Sequence, residues 1–269
     1  GRPGVNITVL KLGGELIEAP GDRARTADAV AALAAGSHLV IVHGGGRAID
    51  AALARRGIEP VKRDGIRVTD EATLDTVVAV LAGTANTALV AALTARGVRA
   101  VGLTGADDQL GLSERVTGME TVSGATIDPG LVGRPAGRGN GSLVEDLCRA
   151  GYVPVIASIG VTAGGALLNV NADTLAGHLA GALRADRLII AGATAGVLDA
   201  SGAPIASLTL DDVDAMIASG TAHSGMVAKL AACRGALRAG VDNVTIVAGR
   251  GAVDLTTATG TRVLAGCEA

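Results

Sequence analysis

The chain has 269 residues, of which 49% are hydrophobic and only 18% charged, and its net charge is -3. This composition excludes a disordered chain, is long enough for one large domain or two small ones, and disfavours a nucleic-acid binder. Tyr152 is the lone aromatic residue among Phe, Tyr and Trp, so bases would find almost no stacking platform. Of the 23 basic residues 20 are arginine; the three lysines, Lys11, Lys62 and Lys229, therefore stand out, and the setting of each is informative.

Read in chain order, short apolar runs alternate with Ala/Leu-rich amphipathic segments. A strand over 7–10 leads to a helix over 25–35, and a strand over 38–42 to a helix over 47–56. A long helix is predicted over 71–96, followed by a strand at 100–103, a helix at 142–150 and a strand at 153–156. The remainder reads as helix 172–183, strand 188–190, helices 211–219 and 225–239, and strand 244–247. Such alternation predicts an α/β protein with a mainly parallel sheet between helical layers. Two Gly- and Thr-rich stretches, 113–134 and 158–169, read as hairpins added to the main sheet. The uncharged stretch 150–172 is long enough to cross a membrane, but Pro154, Gly164, Gly165, Asn169 and Asn171 interrupt it. A buried strand, a turn and a polar site suit it better. Three scattered cysteines, Cys148, Cys233 and Cys267, make neither a disulfide framework nor a zinc site. With no signal segment visible, the expectation is a soluble cytoplasmic protein with no membrane partner.

Two strands end in glycine loops. The first runs into Lys11-Leu12-Gly13-Gly14, where paired glycines let the backbone approach a ligand beside a point positive charge. The second runs into His43-Gly44-Gly45-Gly46 at the start of a helix, whose amides suit a carboxylate or phosphate. Neither matches GxxxxGK[ST], so a P-loop is excluded. Lys229 follows Gly225 one turn into a helix, where a lysine opposes the helix dipole and so suggests another purpose. Lys62 lies in a charged loop and reads as a surface residue. In Asn169-Val170-Asn171-Ala172-Asp173, Asn171 is a natural helix cap with Asp173 in the first turn, and capping does not account for all three polar residues. Thr69 or Asp70 offers a cap to the long helix, and Arg67, between Ile66 and Val68, points into a cleft where its fork suits a carboxylate.

Taken together, these motifs resemble the amino-acid kinase superfamily and, within it, the N-acetylglutamate kinases. The resemblance rests on Lys11 to Gly14, Val42 to Gly46, Gly65 to Asp70, Asn169 to Asp173 and Gly225 to Lys229, in the family's order and over nearly the whole chain. It implies an open αβα sandwich of the carbamate kinase-like type. An N-terminal lobe over 1–181 would bind the acyl-amino acid and dimerise, and a C-terminal lobe over 182–269 would bind ATP. The implied reaction moves the γ-phosphoryl of ATP, with Mg²⁺ held mainly through the nucleotide phosphates, onto the side-chain carboxylate of N-acetyl-L-glutamate, a step of arginine biosynthesis. By position, Gly44 and Gly45 would hold the substrate, Arg67 its α-carboxylate and Asn169 its acetylamino end. Lys11 and Lys229 would neutralise the phosphoryl group, with Asp173 holding both lysines. On the nucleotide side the resemblance implies Gly13, Gly14, Ala193, Gly196, His223, Gly225 and Met226.

One departure is visible. Such kinases usually carry Thr-Asp or Ser-Asp after the strand that begins the nucleotide lobe; here the acidic position is Ala193. Two other readings share the motifs: a kinase of glutamate or aminoadipate borne on a carrier protein, and a non-catalytic amino-acid-binding regulatory paralogue. The resemblance further implies a homodimer without arginine feedback, since the first strand begins near Ile7, with Val77, Val78, Val80 and Leu81 of the long helix as interface candidates.

Overall fold

The structure is a computed structural model and describes residues 6–120, 124–137, 139–199, 201–222 and 224–266. Its organising element is β1 (Ile7–Leu12), all six residues of which are buried because helices cover both faces of the sheet around it. A short helical turn, Gly14–Leu16, connects β1 to α1 (Pro20–Ala34), which starts with Pro20 in its first turn. Then come β2 (His38–His43), α2 (Gly46–Arg55) and a small hairpin of β3 (Lys62–Arg63) and β4 (Ile66–Arg67). Asp64 and Gly65, both at positive φ, form the two-residue turn of that hairpin, a conformation for which Asp-Gly is a preferred pair.

Asp70 caps α3 (Glu71–Val78) by accepting the N–H of Thr73 at 2.8 Å. The helical path continues through a wide π-turn, Ala79–Ala85, into α4 (Asn86–Thr94), so the long predicted helix is present but carries a bulge. Its length and composition would also pass for a membrane span, yet Val77, Leu81, Leu89 and Leu93 are buried against the rest of the chain. Val77, Val80 and Leu81, expected at an interface, therefore face inwards, and Val78 is half-buried.

The edge strand β5 (Ala100–Thr104) precedes β6 (Ser113–Arg115), β7 (Met119–Glu120), β8 (Thr126–Ile127) and β9 (Val132–Pro135). After α5 (Ser142–Arg149) follow β10 (Val153–Ala157), β11 (Ile159–Val161) and β12 (Leu167–Val170). The uncharged stretch 150–172 is thus strand, strand, turn and strand, as its Pro and Gly punctuation indicated. The remaining elements are α6 (Ala172–Ala182), β13 (Arg187–Gly192), β14 (Ser207–Thr209), α7 (Leu210–Ala218), α8 (Ser224–Arg238), β15 (Asn243–Ala248) and β16 (Gly260–Leu264).

Eight strands form the main sheet in the order β14-β16-β15-β13-β1-β2-β10-β5, parallel except for the β15–β16 pair. The Gly/Thr-rich stretches do not extend it. They form a second sheet, β11-β12-β9-β6, and a separate β7–β8 hairpin, and Gly105, Gly111 and Gly160, where a Cβ would clash, let the segments of the second sheet pack closely. Alternation along β1 sorts its side chains. Leu10 and Leu12 pack under α1 and α4, whereas Ile7 and Val9 pack against α6 and α8. Lys11 shares the face of Ile7 and Val9, so it emerges beneath α6.

α6 and α8 touch along a seam of small residues. A Cβ on Gly177 would stand 2.7 Å from the carbonyl oxygen of Ala232, and one on Gly181 would stand 2.7 Å from the Cβ of Ala239. Gly177→Ala should therefore push the helices apart and lower the unfolding free energy by about 1–3 kcal/mol. A lower urea midpoint at unchanged slope would show this; an unchanged midpoint would contradict it.

Candidate active site

The carboxyl ends of β1, β2 and β10 open onto one cleft, the usual place for a ligand in an open parallel sheet. The cleft encloses about 400 Å³, within the range of small-molecule sites. Two glycine loops form its floor. A Cβ on Gly14 would come within 2.9 Å of the Cα of Gly45, so the turns after β1 and β2 abut because Gly14 has no side chain. Gly45 in turn rests on Leu81 from the π-turn.

His43 supports the second loop. Its Nδ1 lies 3.1 Å from the carbonyl of Gly44, and its Nε2 lies 3.0 Å from the amide nitrogen of Asn86, which also donates to the carbonyl of Val155 at 2.8 Å. These partners assign the neutral ring with the proton on Nδ1. Burial pushes its pKa down to about 4, against a smaller upward pull from the Gly44 carbonyl. His43 is therefore structural, and Asn86, 43 positions away, gave no signal of this in the sequence.

At the deep end of the cleft lies a charged triad. Asp173, in the first turn of α6, is 5% exposed and lies 3.0 Å from Lys11 Nζ and 3.7 Å from Lys229 Nζ. Lys229 also reaches the carbonyl of Gly225 at 3.4 Å, one turn back along α8. Asn171 caps α6 by accepting the N–H of Thr174 at 3.0 Å. At the other end, Arg67 on β4 is 7% exposed, donates to the carbonyl of Gly46 at 3.1 Å and lies 2.6 Å from Asp50 on α2. Asn169 on β12 also lines the cleft and donates to the Thr69 hydroxyl at 3.0 Å.

The cleft thus gathers Lys11, Gly13, Gly14, Gly44, Gly45, Arg67, Asn169, Asp173 and Lys229 from five stretches of the chain. Ala193, Gly196, Gly225 and Met226 are not on its walls. Gly196 is buried at positive φ against Thr261, and Met226 packs half-buried on the main core. His223 lies outside the described residues.

Three acidic residues that sequence reading passed over also belong here. Glu15 accepts the N–H of Ala193 at 3.0 Å, so a carboxylate from the first glycine loop sits beside the position where an acidic residue was expected. Glu18 holds the start of α2 through the Ala48 N–H at 3.2 Å and pairs with Arg47 at 2.9 Å. Part of that helix terminus is therefore occupied by the chain itself. Lys62 is not a bystander: it pairs with Asp50 at 2.7 Å and lines the cleft. The walls carry Lys11, Lys62, Arg67, Arg134 and Lys229 against Glu15 and Asp173, a cationic pocket in an acidic chain that suits anions.

Residues 6–248 match the family model described as "Amino acid kinase family". The chain belongs to the amino acid kinase family. Among curated relatives, acetylglutamate kinase of Methanopyrus kandleri is 41% identical over 88% of this chain and 93% of its own. Among solved structures, smu.665 from Streptococcus mutans UA159 superposes with a TM-score of 0.80 at 29% identity, over 97% of this chain and 99% of that one. Giardia carbamate kinase shares the kinase fold at 16% identity, with a TM-score of 0.67 over 98% of this chain and all of that one.

The buried neutral His43 makes a pH prediction. Its pKa is lower folded than unfolded, so between pH 6.5 and about 4 the unfolded chain binds the proton that the folded chain refuses, and stability falls as pH falls. From pH 7 to pH 5 this group should remove about 2 kcal/mol of unfolding free energy. Urea titrations at the two values should show that loss reduced by the same amount in His43→Gln; an identical loss in the variant would refute the assignment.

Proposed function

We propose that the chain is an ATP-dependent kinase that phosphorylates the side-chain carboxylate of N-acetyl-L-glutamate, the acetylglutamate kinase step of arginine biosynthesis. The observation that carries the reading is the pairing of two lysines on one buried carboxylate at one end of the cleft with an arginine fork at the other. A substrate bearing two carboxylates matches these two ends. One carboxylate lies at Arg67, the other faces Lys11 and Lys229, and the acetylamino group lies near Asn169, above the amides of Gly44 and Gly45.

The chemistry asks little more of the protein. A carboxylate is already a nucleophile, so no base is required, and phosphoryl transfer depends on alignment and on positive charge at the equatorial oxygens. Lys11 and Lys229 supply that charge in this reading, and Asp173 is their positioning residue. The glycine amides of the first loop, Gly13 and Gly14, would face the nucleotide phosphates. Among the described residues no group of three His, Cys, Asp or Glu side chains forms a metal cage. A Mg²⁺ ion carried by the phosphates of the nucleotide would add charge neutralisation there. Residues 1–181 would supply the acyl-amino-acid side and 182–269 the ATP side, in a cytoplasmic homodimer. The exposed stripe of Ala72, Ala79, Gly83, Thr87 and Ala91 on the long helix offers small side chains for close packing of two copies.

MgATP with N-acetyl-L-glutamate should release ADP, and hydroxylamine should trap the acyl phosphate; no turnover over a wide range of ATP concentrations would sink the proposal. Lys229→Ala should lose roughly 10²–10³-fold in kcat while the protein stays folded. Lys11→Ala should lose as much and also cost stability, because it strips a close partner from the buried Asp173. A Lys229→Ala enzyme with parental kcat would remove that lysine from the mechanism.

A further inference from the structure

Among the described residues, four buried side-chain atoms have no hydrogen-bond partner: Asp50 Oδ1, Arg67 Nη1, Asp173 Oδ1 and His178 Nε2. Two of the four face each other. Asp50 Oδ1 and Arg67 Nη1 are 2.6 Å apart, close enough for strong attraction but not aligned as a hydrogen bond. The other nitrogen of the Arg67 fork is turned to the carbonyl of Gly46. The guanidinium therefore lacks the two parallel bonds that a carboxylate normally makes with it.

The hairpin adds a second cation. Lys62 and Arg67 are direct cross-strand partners, an arrangement that repels unless an anion lies between them. Asp50 Oδ2 accepts from Lys62 Nζ at 2.7 Å, so one carboxylate spans both cations from α2. Burial pushes the Asp50 pKa up, but the hydrogen bond from Lys62 and the adjacent positive charge of Arg67 outweigh it and hold the carboxyl below its ordinary value. The group is therefore ionised near neutral pH. Lys62 and Arg67 line the cleft, whereas Asp50, which joins them from α2, is not on its walls. The pair forms a carboxylate seat filled by the chain's own side chain.

We propose that Asp50 is a specificity-setting residue whose carboxylate holds the Lys62–Arg67 seat in the empty protein and competes with the incoming substrate carboxylate for it. The inference rests on the substrate reading above and adds two residues to it. Lys62 becomes a second cation for the substrate's α-carboxylate. Asp50 becomes a positioning residue that keeps the two cations together without substrate and limits affinity by its negative charge. Removing that charge while keeping the shape should tighten binding, and only for ligands that carry the α-carboxylate.

The test is calorimetry with N-acetyl-L-glutamate and with 4-acetamidobutanoate, which has the same chain without the α-carboxylate. Asp50→Asn should bind N-acetyl-L-glutamate roughly tenfold more tightly, about 1.4 kcal/mol, and leave 4-acetamidobutanoate within twofold. In steady-state assays the change should fall in KM and not in kcat. Lys62→Gln, on the exposed strand of the hairpin, should weaken N-acetyl-L-glutamate several-fold, and the double variant should be non-additive because the two side chains share one contact. Unchanged or weaker binding of N-acetyl-L-glutamate by Asp50→Asn, or an equal shift for both compounds, overturns the inference alone. A parent protein that binds neither compound overturns the substrate reading together with it.

Discussion

Asp173 is the constraint on which the rest of the cleft depends. A carboxylate that is 5% exposed would be costly in isolation, and it is tolerated because two ammonium groups reach it from opposite halves of the chain. Lys11 arrives from the central strand because alternation on β1 turns it to the α6 face. Lys229 arrives because α8 lies against α6 without side chains to hold them apart. A helix start is an unfavourable place for a lysine, and Asp173 offsets that cost. The same contact closes the core between β1, α6 and α8 and concentrates positive charge at one end of the cleft.

The cleft also shows how a site for anions stays stable when it is exposed to water. Its cations are not left facing one another: Asp173 separates Lys11 from Lys229, and Asp50 separates Lys62 from Arg67. Glu15 and Glu18 likewise take backbone N–H groups at the loop that follows β13 and at the start of α2, near the positions where anions would otherwise be drawn. Internal carboxylates of this kind lower the electrostatic cost of the empty site, and each is also a competitor of the ligand. The affinity of such a site reflects the difference between two carboxylates and not the strength of one.

Much of the fold was legible in the sequence, for reasons visible in particular residues. Runs such as Leu39 to Val42 and Val153 to Ile156 are apolar on both faces, which only a doubly covered sheet can bury. Asn171 and Asp70 cap the helices that their positions suggested. The placement of the Gly/Thr-rich stretches was not legible, because short strands of low apolar content pair wherever the chain turns back. The inward face of the long helix was also hidden: it is apolar or small on nearly every side, and only packing distinguishes the buried Val77 and Leu81 from the exposed Ala79.

For the site, local sequence determined the glycine loops, the two lysines beside glycines, the cap of α6 and the fork of Arg67, since each depends on neighbours within a few residues. The partnerships were decided by tertiary structure. Glu15 meets Ala193 across 178 positions, and His43 meets Asn86 across 43. Asp50 was one acid in an Ala-rich helix and Lys62 one charge in a charged segment until the hairpin folded onto α2. The physical reason is range: glycine conformation, capping and strand alternation act over a few residues. Pairing of buried charges is set by where the sheet and helices bring distant segments within about 4 Å, a distance that residue identity alone does not encode.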